Sequence, residues 1–253
     1  PGYGLNGVLF EPQTDAACTD SGACVLVGGT GFWNIEAQGH DTFSLGLDMN
    51  NAHVQPNGTY HYHGTPERYI ELLASSSDNP EILLMGWALD GFPIYARYGY
   101  SNATDSSTEV KLLRSSWQLK PVGDTGRPLI TNKGVTISMG TFTQDYEYVE
   151  GSGDLDECNG RFGPTPEYPD GIYHYVSTPL SGDPTLVTDT NGNQVAMIGF
   201  PYFLLCYHGI ANVDEQISGG GQGGGRRPRH RLRVSAHAVF ALPLPLVRVS
   251  ADA

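Results

Sequence analysis

Three histidines, His53, His61 and His63, lie within eleven residues of one another. Side chains two positions apart in a β-strand share one face, about 7 Å apart at Cα, so His61 and His63 can bind one ion at about 2.1 Å. The intervening Asn57-Gly58 is typical of a tight turn, and a hairpin there brings His53 alongside as a third ligand. The spacing therefore predicts a metal site in a β-hairpin.

Asp48 precedes this cluster and can either bind the ion or orient one of the histidines. Imidazole ligands without thiolates suit zinc or copper, so the predicted cofactor is one divalent zinc or copper ion. The same residues also fit a second interpretation, in which the histidines and the neighbouring Tyr60 and Tyr62 are core side chains hydrogen-bonded to the backbone. The sequence leaves both interpretations open.

The pattern returns further along the chain. A Leu-Asp-x-x-Asn-x-basic segment followed by Gly-x-Tyr-His-Tyr occurs in residues 47–64 and again in residues 155–176. We interpret this as an internal duplication with two similar ββ units facing one another. The second unit has Arg161 and Val176 where the first has its first and third histidines, and it retains His174. Either His174 completes the metal site of the first unit, or the repeat is architectural.

Other chemistry has weaker support in the sequence. Asp90 follows the apolar run Ile82–Leu89, where catalytic acids often lie, but a turn aspartate that caps its own backbone explains it as well. The serines lack a Gly-x-Ser-x-Gly setting, and residues 28–31 lack the spacing of a phosphate-binding loop. The residues therefore do not predict nucleophilic catalysis, and enzyme activity stays uncertain.

The composition predicts the fold class. The chain has 33 glycines and 17 prolines, and only 16% of its residues are charged, against about 25% in an ordinary soluble domain. These values exclude a coiled coil or helical bundle, whereas 39% hydrophobic residues can supply a core. We expect a mainly β fold (α+β with one or two short helices), sandwich-like, with a duplicated ββ core, in a domain over residues 1–218.

Local signals place several elements. Thr65 as N-cap and Pro66 as first helical residue predict a helix over Thr65–Ala74. The run Ile82–Leu89 predicts a buried strand. Asn191-Gly192 predicts a hairpin.

The cysteines indicate an oxidising compartment. Cys18 and Cys24 bracket a short polar loop suited to a local disulfide, which leaves Cys158 and Cys206 as a long-range pair, although four cysteines allow three pairings. Sequons at Asn57 and Asn102 permit glycosylation in a eukaryotic secretory pathway. We therefore expect an extracellular or periplasmic, secreted protein.

The charge distribution excludes one class of partner. Residues 1–225 hold eight basic and 26 acidic side chains, so this part of the chain repels phosphate backbones and nucleic-acid binding is not expected. Its longest apolar run is too short to span a bilayer, so no transmembrane segment is expected.

The composition changes abruptly near the C-terminus. Residues 219–225 form a Gly-rich linker, and residues 226–253 form a basic tail with six arginines. Alternation of apolar residues over His230–Leu242 favours a donor strand that adds to a sheet of another copy, so that residues 226–247 mediate a homo-oligomer or filament. The alternatives are a disordered tail and a mistranslated one.

Four segments together resemble the YHYH-domain family: residues 51–64, Ala88–Tyr95, Leu155–Arg161 and Pro201–Phe203. The resemblance implies a secreted microbial protein and no established reaction. We expect a non-catalytic extracellular structural or assembly subunit that forms a fibre or surface layer, with the His/Tyr cluster as core or structural metal site. The alternative is a secreted zinc- or copper-binding protein or metal-dependent enzyme that uses the same histidines, with Asp48 or Asp90 as a further ligand or base.

Overall fold

The computed structural model describes residues 2–38, 43–75, 79–121, 127–179, 185–188, 194–197 and 199–211. The fold is mainly β, with 30% strand and 6% helix, which confirms the predicted fold class. The elements of the first part of the chain are β1 (Gly2–Gly4), β2 (Leu9–Phe10), β3 (Ala17–Cys18), β4 (Cys24–Val25), β5 (Trp33–Asn34), β6 (Ala52–Val54), β7 (Tyr60–Tyr62) and the helix α1 (Glu67–Leu73).

The remaining strands follow α1 and are interrupted by one 3-10 turn at Thr143–Asp145. They are β8 (Leu84–Ala88), β9 (Pro93–Ala96), β10 (Tyr98–Tyr100), β11 (Val110–Leu112), β12 (Trp117–Leu119), β13 (Thr131–Asn132), β14 (Val135–Thr136), β15 (Tyr146–Tyr148), β16 (Gly160–Gly163), β17 (Ile172–Ser177), β18 (Thr185–Thr188) and β19 (Gln194–Met197).

One sheet of eight strands organises the fold, in the order β16-β17-β9-β8-β1-β2-β7-β6. Its centre is the antiparallel pair β1–β8. On each side of this pair the arrangement is the same: an antiparallel partner (β2 or β9), then a parallel strand (β7 or β17), then an antiparallel edge strand (β6 or β16). The sheet therefore has approximate two-fold symmetry, and the duplicated units lie at its opposite edges rather than facing one another.

Glycines allow the central strands to approach closely. A Cβ atom added at Gly86 would lie 2.1 Å from the carbonyl oxygen of Tyr3, and one added at Gly2 would lie 2.5 Å from that of Trp87. Both distances are shorter than any real contact, so a side chain at either position would push β1 and β8 apart.

The tyrosines of β7 face the core. Tyr62 stacks on Tyr69 of α1, with ring centroids 6.1 Å apart, and the Tyr69 hydroxyl donates to the carbonyl of Met85 at 2.8 Å. Tyr62, Tyr69 and Phe10 belong to the main buried cluster. Because side chains alternate along a strand, His61 of β7 lies on the opposite face, and so does His63, which directly follows β7, as predicted.

The predicted helix is present but shorter, and its predicted N-cap is wrong. The helix begins at Glu67, with Pro66 as the capping residue and no side-chain cap. The hydroxyl of Thr65 is fully buried and donates to the carbonyl of Thr178 instead. The predicted strand over 82–89 is β8, and β18 pairs with β19 on either side of the predicted Asn191-Gly192 turn, which lies outside the described residues.

Two disulfides are present, with the expected pairing. Cys18–Cys24 joins the paired strands β3 and β4. Cys158–Cys206 ties the loop before β16 to the segment of residues 199–211.

The remaining predictions concern the surface and the C-terminus. Asn57 and Asn102 are exposed, and their glycosylation stays a prediction. Among the described residues, no helix has the length and apolar character needed to cross a bilayer. The linker 219–225 and the tail 226–253 lie outside the described residues, so self-association through residues 226–247 also stays a prediction.

Candidate metal centre

The hairpin β6–β7 brings the histidines together. The two strands pair antiparallel with His53 directly opposite His61. At the turn between them, Gly58 has a φ of 87°, and Asn57 Oδ1 accepts a hydrogen bond from the backbone N–H of Thr59 at 3.0 Å. Only glycine adopts this backbone conformation at little cost, which explains why an Asn-Gly pair lies here.

Asp48 supports the hairpin from the preceding loop. Its Oδ1 accepts hydrogen bonds from two backbone N–H groups of that loop, at 2.8 and 3.2 Å, and its Oδ2 accepts the hydroxyl of Tyr60 at 2.6 Å. Burial, together with this hydrogen bond, raises the pKa of Tyr60 to about 12, so the hydroxyl stays a donor. The backbone N–H of His63 donates to the carbonyl of Asn51 in the same loop at 2.8 Å. Asp48 thus fixes the hairpin that presents the histidines.

The Nε2 atoms of the three histidines converge on one point. His63 Nε2 lies 2.9 Å from His61 Nε2 and 3.1 Å from His53 Nε2. One ligand atom from each of the three rings lies within 4.8 Å of the other two. Nitrogens that bind one zinc ion tetrahedrally at about 2.1 Å are about 3.4 Å apart, so small side-chain movements would form such a shell.

The opposite ring nitrogens fix the tautomers. His53 Nδ1 lies 2.6 Å from the carbonyl oxygen of Leu45, and His61 Nδ1 lies 3.3 Å from that of Thr59. Because a carbonyl only accepts, each Nδ1 carries the proton and each Nε2 directs a lone pair at the other rings. Metal-binding histidines typically donate their second N–H in this way. In a core interpretation a proton on His63 Nε2 would be donated to a neighbouring Nε2, whereas an ion would be bound by all three nitrogens.

His63 is 4% exposed and completes the group. Burial, followed by the neighbouring His61 and His53, lowers the pKa of His63 to about 3. Its Nδ1 is buried beside the backbone of Glu11 and Pro12 without a well-formed hydrogen bond. At neutral pH His63 is therefore a neutral imidazole, which is the form that binds a metal ion.

A cavity of about 730 Å³ opens onto the three histidines. Its walls combine the acidic Glu11 and Asp15 with the apolar Leu26, Val27 and Val54. Val27 and Val54 are 71% and 61% exposed, so the apolar wall reaches the protein surface. The volume is that of a site for a small organic molecule.

Glu11 is a functional candidate that the sequence patterns missed. Its Oε2 lies 4.0 Å from His61 Nε2 and accepts a hydrogen bond from Gln55 Nε2 at 2.7 Å. Its backbone N–H donates to the carbonyl of Tyr62 at 2.8 Å, next to the parallel pairing of β2 with β7. The carboxylate is thus held beside the histidines and within the cavity, but outside the compact group that they form.

The structure places the other candidates away from this group. His174 lies on β17, which is five strand spacings from β7, or about 24 Å. Asp90 lies in the turn between β8 and β9, where it accepts the hydroxyl of Tyr175 at 2.6 Å and the backbone N–H of Gly209 at 3.0 Å. The turn interpretation accounts only for a local contact, in which Asp90 Oδ1 accepts the backbone N–H of Phe92 at 3.4 Å; the contacts with Tyr175 and Gly209 are long-range.

The family model of the YHYH proteins matches residues 1–185 of the chain. This range contains both duplicated units and the three histidines, and it covers well over half of the chain. The chain therefore belongs to the YHYH family. No curated protein matches the chain, and neither does any solved structure.

Proposed function

We propose that this YHYH protein binds one zinc or copper ion through His53, His61 and His63 and presents it to a small molecule. The observation that carries the proposal is the convergence of three Nε2 atoms, two of them on rings whose Nδ1–H is bound by a backbone carbonyl. A cation at the point of convergence would be stabilised by all three lone pairs, whereas a single proton can bridge only two of them.

The fourth coordination position is open in this proposal. Among the described residues, no further His, Cys, Asp or Glu joins the three-histidine group. The cavity adjoins the same three rings, so water or a small molecule can reach the ion. Three protein ligands with one open position are typical of zinc sites that polarise a substrate or activate water, whereas structural sites are closed. Glu11 is positioned to accept a proton there.

The disulfides support a secreted compartment in this proposal. Both pairs of cysteines are oxidised, which is the state that persists in extracellular and periplasmic proteins. We therefore place the metal site in a secreted protein, where extracellular zinc or copper supplies the ion.

Titration of the metal-stripped chain with Co²⁺ tests the proposal, because the visible absorption of Co²⁺ reports its coordination. We expect one ion per chain, loss of binding in His61→Ala, and unchanged binding in His208→Ala, which removes an exposed ring from another part of the fold. Azide, a small anion, should shift the Co²⁺ bands because the fourth position is open. Equal binding by wild type and His61→Ala, or no binding at all, would contradict the proposal.

A further inference from the structure

The duplication extends beyond the two hairpins to the whole eight-stranded sheet. A Gly-x-x-Leu-x-Gly pattern in residues 2–7 recurs in residues 86–91, at the turns β1–β2 and β8–β9. In each half the strand after this turn pairs in parallel with the Tyr-His-Tyr strand. The two halves are therefore structural copies on either side of the pair β1–β8.

The supporting hydrogen bonds are also repeated. Asp156 accepts hydrogen bonds from two backbone N–H groups of its loop and from a tyrosine of the following strand, as Asp48 does in the first half. His174 Nδ1 lies 3.0 Å from the carbonyl oxygen two residues before it, as in His61. The histidine of the Tyr-His-Tyr strand thus has its Nδ1 beside a backbone carbonyl in both halves.

The differences lie on the face that carries the metal ligands in the first half. Arg161 is directly opposite His174, in the position that the first half gives to His53. The parallel pairings give two further equivalences. Val176 occupies the position of His63, and Tyr95 occupies the position of Glu11. The second half therefore repeats the scaffold but has one histidine where the first half has three.

Arg161 is built into this face as a buried cation. It is 8% exposed, and its buried Nε has no hydrogen-bond partner. A Cβ atom added at Gly99 would lie 2.3 Å from Arg161 Nη2, so the guanidinium packs directly against the backbone of β10. Burial, opposed by the Ile172 carbonyl and reinforced by the charge of Arg161, lowers the pKa of His174 to about 4. A neutral His174 therefore faces a permanent positive charge.

We infer that the second half of the sheet is a former metal site in which the guanidinium of Arg161 has taken the place of the ion beside His174. The inference rests on the metal site proposed for the first half. In this inference the first half needs a metal ion from solution, whereas Arg161 supplies the positive charge in the second half. Restoring the two lost histidines should therefore restore metal binding.

The experiment measures Co²⁺ bound per chain in the full-length protein. Arg161→His combined with Val176→His should raise the stoichiometry from one ion to two. In a His61→Ala background the same pair of changes should raise the number of bound Co²⁺ ions per chain from none to one. This variant measures binding by the second half independently of the first. Val176→His alone is the matched control and should add no ion, because the guanidinium remains. Far-ultraviolet circular dichroism and intact disulfides verify the fold of each variant.

A folded Arg161→His/Val176→His variant that binds no additional ion overturns the inference. Failure of the wild type to bind, with binding restored in the second half, would overturn only the proposed function of the first half. A second measurement covers a variant that does not fold. Nitrogen NMR of the wild-type histidines should show His174 protonated on Nδ1 and unchanged by the diamagnetic Zn²⁺; protonation on Nε2 would refute the inference.

Discussion

Glu36 provides a pH-dependent test of the electrostatics of this fold. It follows β5, is 4% exposed, and its backbone N–H donates to the carbonyl of Thr141 at 2.9 Å. Its carboxyl accepts a hydrogen bond from the backbone N–H of Gln38 at 2.8 Å. Burial outweighs these hydrogen bonds to the backbone and raises the pKa of Glu36 from 4.5 to about 8.

The sign of the effect follows from proton binding. Between pH 4.5 and about 8 the folded chain retains a proton on Glu36 that the unfolded chain has released, so the free energy of unfolding decreases as the pH rises. At about 1.4 kcal/mol for each pH unit, the loss across this interval is at most about 5 kcal/mol. Below pH 4.5 both states are protonated and the effect disappears.

Glu36→Gln removes the ionisation and keeps an oxygen for the Gln38 hydrogen bond. We compare the free energy of unfolding of Glu36→Gln with that of wild type at two pH values. The difference, variant minus wild type, should be about 2–4 kcal/mol larger at pH 8 than at pH 5. Urea unfolding followed by tryptophan fluorescence, with disulfides intact, measures the difference. Glu150→Gln, which changes an exposed carboxylate, is the control. The reasoning is refuted if the difference between Glu36→Gln and wild type is the same at both pH values.

Three further changes test the site and its scaffold. Glu11→Gln should weaken Co²⁺ binding about tenfold without changing the stoichiometry, because it neutralises a carboxylate beside the ion; an unchanged affinity in titration would remove Glu11 from the site. Replacing both Cys158 and Cys206 by alanine should lower the free energy of unfolding by about 4 kcal/mol, given their separation of 48 residues; urea unfolding measures this. Gly86→Ala should cost about 1–3 kcal/mol by forcing β1 from β8, and equal stability would show that the strands can separate freely.

The features predicted correctly depend on near neighbours in the sequence. The alternation of Tyr and His in β7, the Asn57-Gly58 turn and the local disulfide each follow from spacings of a few residues. The capping prediction for Thr65 failed because a residue 113 positions away competes for its hydroxyl. A local preference of about 1 kcal/mol does not outweigh a buried tertiary hydrogen bond.

Long-range pairing accounts for what the sequence patterns missed. Glu11 lies beside His61 only because β2 and β7 pair in parallel across about fifty residues of chain. The recurrence of Gly-x-x-Leu-x-Gly in residues 2–7 and 86–91 was the available signal, since it extends the duplication to β2, which Glu11 follows, and to β9, which contains Tyr95. The separation of His174 from the metal group was equally hidden, because a repeat indicates similarity between two units and not their distance.

The symmetry of the sheet also explains how one half diverged. The Asp48 and Asp156 loops and their tyrosine partners hold each hairpin without any metal ion, so the ligands on the opposite face can change while the scaffold persists. Three imidazoles with converging Nε2 atoms would be stabilised by a shared cation, whereas a guanidinium carried by the chain itself does not depend on metal supply. In the inferred history, replacement of two histidines in the second half removed the need for an ion while the same supporting hydrogen bonds persisted. Under the proposed function the first half keeps this need, and the adjoining cavity would give the ion access to another molecule.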